Sequence, residues 1–215
     1  MFSVIDRWET LPQWSVTVID IADGTMTRSH VDVCSKGNGW SIFMLDINAL
    51  DRETVDGDLR VDHSAGTPSY ALAGINSRFY QYDGAVASAC LAVGTADGLV
   101  RIAYADVPSV YIRSCNGGIR KIPGGGAPLG LFAEMRFPDK LCLLGRGDAM
   151  MLVNNGAQRL LDDGVITAYN LFAGRVYERE LLPSRRFAAT AISIKRMDFS
   201  VAEPQHARAE ALVYA

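Results

Sequence analysis

The sequence has no long hydrophobic run. No apolar stretch reaches the ~18 residues that a membrane-spanning helix needs. The first residues, MFSVIDRWETLPQW, lack the basic-then-apolar order of a secretory signal peptide. These two absences predict a cytoplasmic protein without a membrane partner.

The sequence also lacks an excess of charge of one sign. Its 215 residues include 21 Lys and Arg and 24 Asp and Glu, so the formal net charge is −3. Such a chain has no strong positive field to attract nucleic acid or an anionic membrane. We therefore expect no nucleic-acid partner.

Cysteine is sparse and carries no motif. Cys34, Cys90, Cys115 and Cys142 form no Cys-x-x-Cys pair, and each lies among apolar, strand-like residues. This arrangement predicts buried free thiols rather than disulfides or a zinc site.

The motifs of several common active sites are missing as well. His30, His63 and His206 are far apart and form no HExxH spacing, so we assign them structural or surface roles. No GxSxG supports a serine nucleophile. The glycines at 124–126 fit neither GxGxxG nor GK[ST] and predict a flexible turn. The acidic residues of 51–62 lack the ligand order of a calcium loop, which indicates a solvated loop.

Alternation of large apolar and polar side chains dominates what is present. It predicts strands over residues 14–21, 28–35 and 40–47, with Asn38-Gly39 as the hairpin turn between the last two. Further strands are predicted at 85–93, 99–104, 109–113, 118–122, 149–153 and 190–197.

Helical spacing is found in two places. Leu72, Ile75, Phe79 and Tyr82 recur every three or four residues and predict a helix over 69–82, and a second helix is predicted within 164–177. Hairpins at both ends with helices between predict an α+β layered sandwich. We expect one domain over residues 1–197 and a C-terminal tail over 198–215.

Three segments of the chain resemble one protein family. The Gly147-Asp148 turn leads into the apolar strand 149–153 and then Asn154-Asn155-Gly156, Pro128-Leu129-Gly130 forms a Pro-Leu-Gly turn, and 72–78 carries a Leu-Asn-Arg pattern. Together they resemble the stage II sporulation protein E-like branch of the PPM metal-dependent protein phosphatases. The resemblance implies an α-β-β-α sandwich of two mainly antiparallel sheets flanked by helices. Its first helix is expected to be reduced between Asp46 and Ser69.

The family's metal motifs are eroded here. The resemblance implies aspartates that hold two Mn²⁺ or Mg²⁺ ions, which activate water for attack on phosphoserine or phosphothreonine. The first Gly-Asp falls near Thr27-Arg28, and the aspartate of Thr-Asp-Gly falls on Asn155, beside Asn154. The closing Asp-Asp-x-Thr falls on residues 187–190, where both carboxylates are missing. Asp46, in the place of the Gly-Asp-Val-Ser-Gly aspartate, is the one retained metal-ligand candidate.

The loss of negative charge from the metal motifs determines whether metal binding is expected. One carboxylate does not offset the dehydration of two divalent cations, so we expect no metal cofactor. The resemblance also brings Arg28, Arg185 and Arg186 toward the former metal pocket. Their guanidinium groups could bind a phosphate or an acidic side chain of a partner without metal; the alternative is a set of surface charges.

Three functions follow from the resemblance. The first is a pseudophosphatase that binds a protein partner, an anti-sigma-factor antagonist or a kinase, in bacterial partner-switching or sigma-factor signalling. The second is an active phosphoserine or phosphothreonine phosphatase that uses Mn or Mg at a rearranged site around Asp46, Asp32 or Asp20. The third is a structural domain that forms a homo-oligomer through exposed sheet surface.

Overall fold

The computed structural model describes residues 2–11, 13–23, 29–37, 39–48, 66–82, 84–173 and 188–197. In chain order the elements are β1 (Phe2–Leu11), β2 (Trp14–Asp23), β3 (His30–Lys36), β4 (Gly39–Asn48), α1 (Pro68–Phe79), β5 (Val86–Gly94), β6 (Leu99–Ala105), β7 (Val110–Arg113), β8 (Ile119–Ile122), β9 (Lys140–Leu143), β10 (Ala149–Val153), α2 (Asn155–Asp162), α3 (Ala168–Phe172) and β11 (Ala188–Arg196).

These strands form two antiparallel sheets. The six-stranded sheet has the order β1-β2-β11-β10-β7-β8, and the five-stranded sheet has the order β3-β4-β5-β6-β9. Every strand pairing in both sheets is antiparallel. The predicted α+β sandwich of two antiparallel sheets is therefore confirmed.

The main core lies between the two sheets. Side chains of a strand alternate between its faces, and the inner stripe of β2 carries Trp14, Val16 and Val18, which are buried against the inner stripe of β4. Removing these large apolar surfaces from water is the dominant favourable term in the folding of such a domain. The period-two pattern of the sequence thus fixes which residues meet between the sheets.

The helices cover the outer faces of the sheets. Thr67 caps α1 by accepting a hydrogen bond from Tyr70 N, and Pro68 follows in the first turn, where its missing N–H costs nothing. Leu72, Ile75 and Phe79 of α1 pack against the five-stranded sheet. Side chains from α2 and α3 pack in the same way against the six-stranded sheet.

Some elements differ from the sequence predictions. Strands β1 and β9 and helix α2 were not predicted, and α3 is a short helix within the predicted range 164–177. Helix α2 is weakly marked, because Gly156 in its first turn disfavours helix and few of its residues are apolar. The region expected to hold a reduced first helix, mostly 49–65, and the tail 198–215 lie outside the described residues. The division into one domain and a tail stays a prediction.

The cysteine prediction holds in part. All four cysteines are free thiols, and Cys90 and Cys142 are buried, but Cys34 is half-buried and Cys115 is exposed. Cys115 follows β7 in the hairpin turn, where its backbone N–H donates a hydrogen bond to Asp148 Oδ1. Among the described residues, no helix is long and apolar enough to cross a membrane.

Because the Cys90 thiol is buried, we predict that the folded protein loses stability in alkaline solution. Burial raises the pKa of Cys90 from 9.0 to about 12. The unfolded thiol therefore ionises above pH 9 while the folded one stays neutral, so this contribution to stability is complete below pH 9 and falls toward pH 12. Urea titrations across this range should show the free energy of unfolding falling by up to about 1.4 kcal/mol per pH unit from this group. Equal slopes for the wild type and Cys90→Ala would contradict the assignment.

Two glycines give a matched pair of stability predictions. A Cβ on Gly94 would overlap the indole of Trp40, whereas one on Gly74, exposed in α1, meets nothing within 4 Å. Gly94→Ala should lower the free energy of unfolding by about 1–3 kcal/mol through overpacking. Gly74→Ala should raise it by about 0.5–1 kcal/mol, because alanine favours helix. Urea midpoints measure both, and an unchanged midpoint for Gly94→Ala would be contrary to this packing.

Candidate functional site

A cluster of polar side chains closes the inter-sheet core at one end of the sandwich. The inner apolar stripes of β2 and β4 end at Asp20 and Asp46, each two residues beyond a core side chain. We call this cluster the polar end; it comprises Asp20, Ser29, Asp46, Ser88, Asp106, Asn154, Asn155 and Thr190.

Strand pairing places four of these residues opposite one another. Thr190 of β11 pairs with Asp20 of β2, and Ser88 of β5 pairs with Asp46 of β4. The Thr190 hydroxyl donates a hydrogen bond of 2.8 Å to the Asp20 carboxylate, and both side chains are buried. Each sheet therefore contributes one hydroxyl and one carboxylate to the polar end.

Asn154 connects the two sheets. Its Oδ1 accepts hydrogen bonds from Ala157 N at 2.8 Å and Thr190 N at 3.0 Å, so one oxygen caps α2 and holds β11. Its Nδ2 donates to Ser29 Oγ at 3.0 Å. The Ser29 hydroxyl in turn donates to the Asp46 carboxylate of the other sheet.

Asn155 lies at the solvent side of the same cluster. Its exposed side chain donates from Nδ2 to Ser88 Oγ and to the backbone oxygen of Asp106, both at 3.4 Å. Ser88 Oγ also donates to Asp106 Oδ2 at 3.0 Å. Asp106 has a φ of 48°, a left-handed conformation that is uncommon for residues other than glycine.

Three of the predicted site residues meet at the polar end. Asp46, Asn154 and Asn155 belong to one hydrogen-bonded cluster, as described above. The other three candidates, Arg28, Arg185 and Arg186, lie outside the described residues, so their placement stays a prediction.

The carboxylates of the alternative site are divided between two faces. Asp20 reaches the polar end, but Asp32 does not. Asp32 pairs with Phe43, whose side chain packs with α1 on the outer face of the five-stranded sheet. Cross-strand partners share a face, so Asp32 lies on the face opposite to Asp46. Asp32 is therefore not part of the polar end, whereas Asp20 and Asp46 are.

Ser29 and Ser88 were missed by sequence reasoning. A signal for Ser88 was present, because it begins the inner stripe of β5 that continues with Cys90 and Ala92. A polar residue at the end of an inner apolar stripe marks the rim of the core. Ser29 precedes β3 and meets Asn154, which lies 125 residues further along the chain. No local pattern encodes that contact.

The polar end is rich in hydrogen-bonding groups. Three carboxylates, those of Asp20, Asp46 and Asp106, each accept a hydrogen bond from a hydroxyl group. In the part of the chain that the structure describes, no three His, Cys, Asp or Glu side chains come together as a possible metal site. The exposed members can recognise a ligand by donating from Asn155 and accepting at Asp106.

Solved structures with a similar fold include phosphatase domains. The structure of the RsbU and RsbW domains of a Mycobacterium tuberculosis protein is 18% identical, with a TM-score of 0.65 over 85% of this chain and 60% of that one. RsbX in complex with magnesium is 11% identical, with a TM-score of 0.66 over 88% and 98%. The PP2C phosphatase domain of SpoIIE from Bacillus subtilis, with a regulatory fragment, is 12% identical, with a TM-score of 0.63 over 91% and 71%.

Sequence comparison adds nothing to these structural matches. No protein-family model and no curated protein matches the chain. The chain spans only 60% of the length of the two-domain Mycobacterium structure. With identities of 11–18%, the matches establish the architecture rather than the chemistry. The chain has the fold of the PPM, or PP2C-type, protein phosphatases.

Proposed function

We propose that this domain is a pseudophosphatase, a PPM-fold protein that binds a protein partner and does not use two-metal chemistry. The partner belongs to bacterial partner-switching or sigma-factor signalling, as an anti-sigma-factor antagonist or a kinase. The fold shared with RsbU, RsbX and SpoIIE domains supports this setting.

The orientation of the Asn155 amide carries the proposal. Asn155 stands where the family resemblance expects a metal-binding aspartate, and its NH₂ group points at Ser88 Oγ and the Asp106 backbone oxygen. An amide NH₂ donates hydrogen bonds and offers no lone pair to a cation. The amide oxygen of an asparagine can bind a hard cation, but it carries no negative charge to offset the dehydration of two divalent ions. The described residues of the polar end therefore fit a two-metal site poorly.

The carboxylates of Asp20 and Asp46 already accept hydrogen bonds from hydroxyl groups. Asp20 is buried and accepts a hydrogen bond from the Thr190 hydroxyl. Asp46 accepts a hydrogen bond from Ser29, whose Oγ accepts one from Asn154. A cation would have to displace these hydrogen bonds inside a buried network, where an unsatisfied polar group costs about 1–3 kcal/mol. The network is arranged to hold the two sheets together, and its exposed edge at Asn155 and Asp106 is left for recognition.

An active phosphatase is the second candidate. Asp20, Asp46 and Asp106 lie at the same end of the sandwich, which favours a rearranged site that binds a single Mn²⁺ or Mg²⁺ ion. A third candidate, an oligomerising domain, is favoured by Leu141 and Leu143. These side chains are 60% and 65% exposed on β9, an edge strand of the five-stranded sheet.

Metal addition separates the first two candidates. We expect Mn²⁺ or Mg²⁺ to leave the melting temperature of freshly purified protein unchanged. Mass spectrometry should verify that residue 155 of this protein is unmodified asparagine. A ligand at 100 times its Kd would stabilise the folded state by about 2.7 kcal/mol and raise the melting temperature by several degrees. Such a rise, together with metal-dependent hydrolysis of a phosphopeptide that Asp46→Ala abolishes, would establish the active phosphatase instead.

Partner binding is predicted to depend on the exposed edge of the polar end. Asn155→Arg places a long charged side chain over Ser88 and Asp106, and should weaken binding of a purified anti-sigma-factor antagonist at least tenfold, about 1.4 kcal/mol. The matched control is Asn116→Arg, which changes an exposed asparagine in the β7–β8 hairpin near Asp148, at the other end of the sandwich. Isothermal titration calorimetry measures both. Equal affinities for the two variants would count against the polar end as the binding surface. Analytical ultracentrifugation tests the third candidate function, because it would detect an oligomer.

A further inference from the structure

Asn155 is followed by Gly156, and this pair stands at the exposed edge of the polar end. We propose that Asn155 is a site of spontaneous deamidation in the folded protein. The product carries a carboxylate in place of the amide, so the charge of the polar end changes with the age of the molecule. Deamidation of Asn155 does not depend on the proposed function. Only its expected effect on metal binding rests on the proposed function.

The reaction needs no partner other than water. The main-chain nitrogen of Gly156 attacks Cγ of Asn155, so a C–N bond forms while the Cγ–Nδ2 bond breaks. Nδ2 leaves as ammonia with the proton from the backbone nitrogen, and the product is a five-membered succinimide ring. Water then opens the ring at either carbonyl, which yields aspartate or isoaspartate. Glycine favours the ring because it has no Cβ to hinder the attack.

The nucleophile is available in this structure. The first N–H groups of a helix have no partner within the helix, and Gly156 is the second residue of α2. Asn154 caps Ala157 N, the next amide along. Among the described residues, Gly156 N–H makes no hydrogen bond. Ring formation at this position therefore breaks no backbone hydrogen bond of the nitrogen that attacks.

The electrophile is weakly held. The Asn155 side chain is exposed, and its two hydrogen bonds, to Ser88 Oγ and the Asp106 backbone oxygen, are both 3.4 Å long. Typical N–H···O bonds are 2.7–3.2 Å long, so these contacts are at the weak end. In the described part of the chain, only these two weak contacts hold the amide away from Gly156.

A second Asn-Gly pair provides the contrast. In the β7–β8 hairpin, Gly117 N donates to Ser114 O at 2.8 Å, so the nucleophile is engaged. Asn116 Oδ1 accepts from Ser114 Oγ at 2.5 Å and Gly118 N at 3.2 Å, so the electrophile is held as well. The structure thus separates two identical dipeptides by the hydrogen bonds of their reacting groups.

The product changes the chemistry of the polar end. A carboxylate at 155 cannot donate to Ser88 or to the Asp106 backbone oxygen, so both contacts are lost. It also adds a negative charge beside Asp106 and near Asp46, the cross-strand partner of Ser88. Anionic oxygens in such proximity attract a divalent cation. An aged molecule therefore gains affinity for Mn²⁺ that a fresh one lacks.

This inference is tested by incubating the full-length folded protein and then analysing its peptides by mass spectrometry. The protein is incubated in mildly alkaline buffer at physiological temperature. The conversion of asparagine to aspartate and isoaspartate is followed at Asn155-Gly156 and Asn116-Gly117, two of the three Asn-Gly pairs of the chain. We expect Asn155 to convert faster than Asn116. Gly156→Ala should slow conversion at Asn155 severalfold and leave Asn116 unchanged. Urea-unfolded chain, in which both pairs should convert, confirms that the conditions suffice.

The two proposals fail in distinguishable ways. If Asn155 in the folded chain stays intact while both pairs convert in urea, the deamidation proposal is overturned, whatever the function. A Mn²⁺-induced rise in melting temperature of fresh, unmodified protein would instead overturn the metal-independent function. We expect the rise only in the aged protein and in Asn155→Asp, which carries the aspartate product. If Mn²⁺ raises the melting temperature of neither the aged protein nor Asn155→Asp, the proposed effect of deamidation on metal binding is wrong.

Discussion

The side chain of Asn154 joins parts of the chain that are far apart in sequence. Its oxygen satisfies the backbone N–H groups of Ala157 and Thr190, and its NH₂ group reaches Ser29, which holds Asp46. A buried amide must have such partners, since an unsatisfied one destabilises the fold. One side chain therefore fixes the start of α2, the position of β11 and the closure of the two sheets at the polar end.

This arrangement separates structural from exposed polar groups. Asn154, Ser29 and Thr190 are buried and satisfy one another, whereas Asn155 and Asp106 face solvent. Neighbouring asparagines thus have different roles. Asn154 follows the last residue of β10 and caps α2, and Asn155 is the first residue of that helix. A surface for recognition can change at Asn155 without disturbing the network that holds the sheets.

The sequence revealed the regular parts of this fold and only some of the site. The strand 149–153 agrees with β10 at both ends, because apolar residues and the turns that bound it are local signals. Helix α2 was hidden by Gly156 and by its polar composition. Asp32 was a candidate beside Asp46 and Asp20, yet it lies on the opposite face of the sheet from Asp46, which the list of carboxylates alone does not show. Ser29 meets Asn154 only through the pairing of distant strands, which no short-range pattern contains.

The other end of the sandwich is closed by tryptophan. Trp14 of the six-stranded sheet and Trp40 of the five-stranded sheet are in edge-to-face contact, with ring centroids 5.2 Å apart, and both are buried. Neither indole N–H has a hydrogen-bond partner among the described residues. Because one ring belongs to each sheet, their electronic coupling depends directly on the distance between the sheets. The near-ultraviolet circular dichroism of this pair is therefore an intrinsic optical gauge of whether the two layers remain packed.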